Sequence, residues 1–470
     1  MKRRINKVSM ISKLIVLGIL PITLMAQQPK VNNVRAYDQT GINKFEEPKD
    51  DTVKYNGLKI RFGSAITQQF QNLKDENPGA SNNTNNASTA GNKLIPISAG
   101  FQTAEANLYM DVQLADGIRL NVTSYLSSKH HNETWVKGGY FLFDKLPFKG
   151  KIWDDIMKVT TIKVGEFEVN YGDEHFRRSD GGEAIYNPFM EGDIMDEFAT
   201  EIGTEVYVKK NGLFGMFGIT SGMLKGNVDS LFATPADANV HKSPSILLKA
   251  GFDRKIADNV RLRLTASYYG NQSCGSNTLF GGDRTGSNYQ FVMEENSSPQ
   301  SSATGAGTGL AFSGRLNPGF TKKINAGMFN AFLKVGGFEF LGMAEASAGR
   351  TAAETSTRNA NQYALEGVYR FGKTENLFIG ARYNSVSAQL ANNNTKNSAG
   401  TIIGTGAGPI NYNGNYVTVN RTAFAAGWFL TKNVLVKGEY VNQVYNDFPA
   451  ADYRCTGKFH GYVLEAVVSF

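Results

Sequence analysis

Phe459-His460-Gly461-Tyr462-Val463-Leu464-Glu465-Ala466-Val467-Val468-Ser469-Phe470 is the stretch on which the fold turns. Tyr462, Leu464, Ala466, Val468 and Phe470 alternate with Gly461, Val463, Glu465, Val467 and Ser469, the period of two of a strand whose two faces meet different surroundings. One face is apolar and the other mixed. The pattern recurs upstream. Val260, Leu262, Leu264, Ala266 and Tyr268 alternate with Arg261, Arg263, Thr265 and Ser267; Ile118, Leu120 and Val122 alternate with Arg119, Asn121 and Thr123; Leu108, Met110, Val112 and Leu114 alternate with Asn107, Tyr109, Asp111 and Gln113. Charges on alternate positions are costly in a dry core and natural in a wet lumen. No predicted helix layer shelters the apolar faces, so they call for lipid.

The other end of the chain gives the route. Lys2, Arg3, Arg4 and Lys7 precede an apolar run from Leu14 to Leu20 and then Leu24-Met25-Ala26, the layout of a secretory signal, so residues 1–26 are read as a signal peptide and set aside from the fold. The run is shorter than the roughly 20 residues a membrane helix needs. Residues 27–54 are read as a short periplasmic N-terminal segment and 55–470 as the barrel. The formal charge of +7 falls to +2 once Lys2, Arg3, Arg4, Lys7 and Lys13 leave with the signal, so the basic pI supports no nucleic-acid partner. After the signal no apolar stretch approaches membrane-helix length. A membrane role must therefore come from strands closed on themselves.

Connections alternate in length, as in single-chain barrels. Tight turns fall at Asp116-Gly117, Asn211-Gly212 and Gly336-Gly337, and a longer connection at Leu146 to Lys158 has room for a helical turn; the long polar connections are Asp75 to Pro96, Asp173 to Asp196, Asn227 to Pro244, Cys274 to Asn325 and Asn392 to Asn415. The expected fold is an all-β, transmembrane antiparallel β-barrel of about sixteen strands with an infolded third extracellular loop, placed in the outer membrane of a Gram-negative bacterium. Within Val159 to Gly172 the polar set passes from Thr161 and Lys163 to Glu166, Glu168 and Asn170, which predicts a β-bulge at Gly165.

The loop Asp173 to Asp196 is the most informative connection. It sets His175, Arg177 and Arg178 among Asp173, Glu174, Asp180, Glu183, Glu191, Asp193 and Asp196, with Phe176, Tyr186 and Phe189 to anchor it against a wall. Inward positions on the strands are rich in cations: Lys59, Arg61, Arg119, Lys163, Lys249, Arg261, Arg263, Lys334, Arg370, Arg382, Arg421 and Lys437, against Asp111, Glu166, Glu168, Glu201, Glu205, Glu366, Glu439 and Glu465. Two readings stay open: a transverse field between basic wall and acidic loop, with Arg61, Arg119, Arg261 and Arg263 as its principal cations, or local pairs of hydrated neighbours.

Ile162-Lys163-Val164-Gly165-Glu166-Phe167, the continuation Asn170-Tyr171-Gly172, the loop Asp173-Glu174-His175-Phe176-Arg177-Arg178 and the terminal Phe470 together resemble the phosphate-selective porin O/P family. The resemblance implies a sixteen-stranded porin, usually a homotrimer, with a third loop folded inward and basic residues along the pore. Phe470 also resembles the aromatic end of outer-membrane strands, which serves as part of the assembly signal for the barrel-assembly machinery. The loop here is strongly acidic, which gives phosphate no support as the solute.

Chemistry other than passage is poorly supported. His130 and His131 point to opposite faces of a strand and cannot easily share a metal, the Gly-rich runs near Gly305 and Gly404 lack a strand-to-helix context, and no catalytic spacing of Ser, Cys and His is present. No cofactor, metal or catalytic residue is expected. Cys274 and Cys455 both fall at extracellular strand ends, leaving a loop-to-loop disulfide or two free thiols. The leading expectation is passive diffusion of small hydrophilic or charged solutes or ions through a water-filled channel narrowed by loop 173–196. The alternatives are a barrel that displays its loops as an adhesin or receptor and, less favoured, an outer-membrane hydrolase.

Overall fold

The computed structural model describes residues 28–47, 49, 54–78, 94–102, 104–126, 134–180, 183–223, 230–231, 233–234, 236–238, 241–283, 285–294, 312–392 and 410–470. The signal-peptide reading of residues 1–26, His130-His131 and the runs at Gly305 and Gly404 lie outside them.

Strands β1 (Lys59–Glu76), β2 (Glu105–Ala115), β3 (Ile118–Leu126), β4 (Trp135–Phe143), β5 (Thr160–Glu168), β6 (Thr200–Lys210), β7 (Leu213–Thr220), β8 (Ser245–Ala257), β9 (Val260–Asn271), β10 (Lys323–Val335), β11 (Phe338–Arg350), β12 (Arg358–Phe371), β13 (Leu377–Gln389), β14 (Tyr416–Thr431), β15 (Val434–Asn446) and β16 (Lys458–Ser469) form a single antiparallel sheet. The pair Gly100–Phe101 extends β2 along the same edge of β1, so the described residues make sixteen staves. Closure is direct: β1 pairs with β16 from Ala65↔Ser469 to Glu76↔Lys458, and Ser64 and Phe470 exchange backbone hydrogen bonds at 3.0 Å. A closed ring leaves no sheet edge unpaired, which is the condition for strands in hydrocarbon.

The alternation read from the sequence holds. In β16 Tyr462, Leu464, Val468 and Phe470 are exposed while Val463, Glu465, Val467 and Ser469 are buried. In β9 Leu264 and Tyr268 face out while Arg263, Thr265 and Tyr269 face in. An apolar belt with no protein over it belongs in a bilayer, and the fold is that of an outer-membrane-type barrel. Asn211 and Gly212 both take positive φ, 54° and 82°, the twist-matched hairpin geometry that favours Asn-Gly. The connection at 146–158 contains the expected helical turn, α1 (Lys151–Met157).

One local expectation fails. No bulge occurs at Gly165: β5 pairs with β6 from Thr160↔Val208 through Glu168↔Thr200 without a shift. Gly165 instead takes φ 142°, and a Cβ there would lie 2.5 Å from the Gly139 carbonyl oxygen. Phe167 keeps the inward parity and is buried, so Glu166 does not belong to the lumen set. The bulge sits one strand earlier. Thr123 pairs with Gly138 and Ser124 with Val136, which leaves Lys137 as the extra residue. Such an insertion re-aims a side chain, and Lys137 turns into the lumen.

Candidate functional site: the filled lumen and its side chamber

The third loop runs from the end of β5 to the start of β6 and is buried almost throughout. A loop can be buried only if its backbone groups find partners, and the inward polar residues of the wall supply them. Lys249 on β8 donates to the Asn170 side chain at 2.7 Å and the Gly172 carbonyl at 2.5 Å. Met195 and Ile194 amides donate to Gln362 on β12 and Asn384 on β13 at 2.8 and 2.7 Å. Arg382 and Arg421 donate to the carbonyls of Glu191 and Gly192 at 2.7 and 2.8 Å. On β15 the Met190 amide reaches Glu439 at 2.9 Å, and the Lys437 ammonium donates to the carbonyls of Ala184, Asn187 and Phe189 at 3.1, 2.9 and 2.9 Å. The loop thus crosses the lumen and lies along the wall from β8 to β15.

Most of the loop's charges are matched by partners. Asp173 takes two hydrogen bonds from Arg263 at 2.8 Å and an ion pair with Lys249 at 2.9 Å. Burial opposes its ionisation, but Lys249 and Arg263 outweigh that and hold its pKa down at about 2. Arg177 pairs with Glu366, Glu174 lies 3.6 and 3.7 Å from Arg177 and Arg382, Arg178 pairs with Asp196 at 2.5 Å, and Asp180 pairs with Lys137. His175 shares a hydrogen bond with Asn170 at 2.8 Å. Asp193 differs: burial and then Glu174 push its pKa up to about 7 against the pull of Arg382 and Arg421.

Two further segments share the interior, and the sequence reading missed both. Part of the connection between β9 and β10 is drawn in, with Asn288 donating from its amide to Glu191 at 2.8 Å and Tyr289 donating to Glu439. From the periplasmic end, residues 28–47 enter the mouth and are no mere appendage outside it. Tyr37 stacks on Tyr109 at 4.0 Å, the Gln39 amide donates to the Lys432 carbonyl at 2.8 Å, and Phe45 lies under Arg263 at 4.1 Å. Glu46 pairs with Arg263 at 2.7 Å and Glu47 with Arg119 at 2.8 Å.

The four arginines expected to carry a transverse field are therefore all paired. Arg61 meets Asp111 at 2.8 Å, Arg119 meets Glu47 and Asp144 at 2.8 and 2.9 Å, Arg261 meets Asp253 at 2.7 Å, and Arg263 meets Asp173, Glu46 and Asp253 at 2.8, 2.7 and 3.3 Å. Only Arg263 meets the loop; Arg61 and Arg261 pair with neighbours on the wall, and Arg119 with Asp144 and the N-terminal segment. The open field is replaced by contact pairs.

Free space is found on the opposite side, against β2–β6. A chamber of about 220 Å³ is bounded by Tyr109, Asn121, Tyr140, Phe167, Tyr207 and, from the loop, Glu183. A second cavity of about 410 Å³ lies among Phe198, Thr278, Phe280, Phe312 and Arg315. Phe198 borders it with its ring 5.3 Å from the Lys137 ammonium, which lines the first chamber.

Of the two readings left open for the cysteines, the structure has the free thiols. Cys274 is buried with its thiol donating to the Gly222 carbonyl at 3.2 Å, and Cys455 is a free, partly buried thiol. Alkylation of unreduced, denatured protein is expected to modify both thiols, and in the folded protein Cys455 well before Cys274; mass spectrometry reads both outcomes.

These features define a transmembrane β-barrel whose interior is largely occupied by its own loop and N-terminal segment. No family model and no curated protein matches the chain. Among solved structures it is similar to the outer membrane channel DcaP of Acinetobacter baumannii (11% identity, covering 89% of this chain and 99% of that one, TM-score 0.47). It is also similar to the anion-selective porin from Comamonas acidovorans (9% identity, 88% and 100% covered, TM-score 0.46) and to OmpT of Vibrio cholerae (8% identity, 89% and 100% covered, TM-score 0.45).

Proposed function

We propose that the protein is a passive diffusion channel for small hydrophilic or charged solutes, with an off-axis route along β2–β6 that loop 173–196 narrows, in an expected homotrimer. The observation that carries this reading is the asymmetry of the interior. Most of the loop is bonded along β8–β15 and the N-terminal segment enters only from the periplasmic end, where Tyr37 and Glu47 also reach β2 and β3, while Asn121, Thr123, Tyr140 and Lys163 border free space. Polar lumen positions backed by a lipid-facing belt suit aqueous passage. A display barrel would have no need of so many buried, paired charges inside its lumen.

Proteoliposomes carrying the full-length protein test the reading through the efflux of trapped solutes of graded size. Amino-acid-sized solutes are expected to leave at rates proportional to protein content, and trisaccharides slowly or not at all. Retention of every solute at all protein contents would contradict passage.

A further inference from the structure

The chamber against β2–β6 contains an imbalance found by pairing its charges in turn. Of its carboxylates, Glu46 is held by Arg263 and Lys249, Glu47 by Arg119, and Asp111 by Arg61. Of its cations, Lys137 is held by Asp180 and Asp283 and Lys163 by Glu205, while Lys209 donates to the Glu47 carbonyl. Two carboxylates are left over. Glu168, at the end of β5, and Glu183, on the loop, both line the chamber, and neither has an ion pair or side-chain hydrogen bond among the described residues. Glu168 Oε1 and Glu183 Oε2 are moreover shut away from solvent. One guanidinium is also incompletely used. Arg35 donates Nε to the Gly41 carbonyl at 2.8 Å and Nη1 to the Phe176 carbonyl at 2.7 Å over the face of Tyr186, and its Nη2 has no partner among the described residues.

A carboxylate out of water without a partner is costly, and two lining one small chamber raise the cost further. The other three carboxylates of this chamber, Glu46, Glu47 and Asp111, each meet a cation, so the remaining pair calls for a cation from outside. We propose that the chamber is a binding site for a small amino acid-like solute whose ammonium groups meet Glu168 and Glu183 and whose carboxylate meets Arg35. Two carboxylates without an ion pair against one guanidinium with an open Nη2 match a basic amino acid best. The proposal names a solute class for the channel and rests on that reading for passage, though not for binding itself.

Isothermal titration of the full-length protein in detergent micelles tests it with L-lysine, pentane-1,5-diamine and glutarate as probes. Lysine is expected to bind saturably, the diamine more weakly, and glutarate not at all. Glu168→Gln and Glu183→Gln are each expected to weaken lysine by about tenfold, the scale of one hydrogen bond to a charged group. Arg35→Gln is expected to weaken lysine while leaving the diamine unchanged. Glutarate binding as tightly as lysine, or lysine affinity unchanged in both glutamine variants, would overturn the proposal. Wild-type protein that releases solutes from liposomes without binding lysine overturns the site alone; protein that binds lysine but passes nothing keeps the site and contradicts the channel.

Discussion

Deleting residues 28–47 is expected to raise the single-channel conductance several-fold and to turn the ion preference toward anions. The segment fills the periplasmic mouth through the Tyr37–Tyr109 stack, the Gln39 hydrogen bonds and Phe45 beneath Arg263. It contributes no strand to the barrel, which begins at Lys59 and closes on Lys458–Ser469, so closure survives its loss. With it go the Glu46 partner of Arg263 and Lys249 and the Glu47 partner of Arg119. Arg263 and Lys249 keep Asp173 and Arg119 keeps Asp144, but each loses one of its two or more anions and faces water in a wider mouth, and wall cations less fully compensated favour anions. Planar-bilayer recordings in a salt gradient measure both quantities at once. Unchanged conductance would mean that the segment does not sit in the conducting path.

Lys437→Met is expected to free the third loop. A single ammonium, with no exposed side-chain surface, satisfies three loop carbonyls and pairs with Glu465 at 2.8 Å. Methionine fills similar space without a donor, leaving Glu465 and the carbonyls of Ala184, Asn187 and Phe189 to find water or move. Removing one partner from a buried charged cluster costs about 3 kcal/mol, enough to shift a loop from mostly docked to mostly undocked. The expected signs are flickering single-channel currents and new protease cleavage near 184–192, with the strands intact. Quiet currents and a protected loop would show that the apolar anchors Phe189, Met190 and Ile194 hold it unaided.

The barrel was readable from sequence because the rule behind it is local. Strand parity put Arg61, Arg119, Arg261 and Arg263 inside, where the structure has them, since a period of two needs no knowledge of distant residues. Their partners were not readable. Arg263 meets Asp173 from a loop 90 positions away and Glu46 from a segment 217 positions away, and no periodicity links these. Residues 28–47 show no alternation, so nothing marked them as lumen-bound. At Gly165 the switch in polar residues mimicked an inserted residue, whereas the backbone had used glycine's freedom for a close approach to Gly139. The real insertion at Lys137 lies in Trp135-Val136-Lys137-Gly138-Gly139, where glycines blur the alternation. A basic patch at Lys137 beside a loop of seven carboxylates was a usable signal for the contact with Asp180. Whether the cysteines pair could not be read, because the end of the barrel each occupies is far coarser than disulfide geometry demands.

The claim on which the rest depends is that solute passes along β2–β6 and not along the wall covered by the loop. Single cysteines decide it in a background with Cys274→Ser and Cys455→Ser. Asn121→Cys and Thr123→Cys place thiols on the chamber side; Gln362→Cys and Asn384→Cys place them under the loop. A charged, water-soluble thiol reagent added during bilayer recording is expected to modify the first pair rapidly and lower the current stepwise, while the second pair stays unmodified. Rapid modification of Gln362→Cys and Asn384→Cys with Asn121→Cys and Thr123→Cys protected would contradict the account.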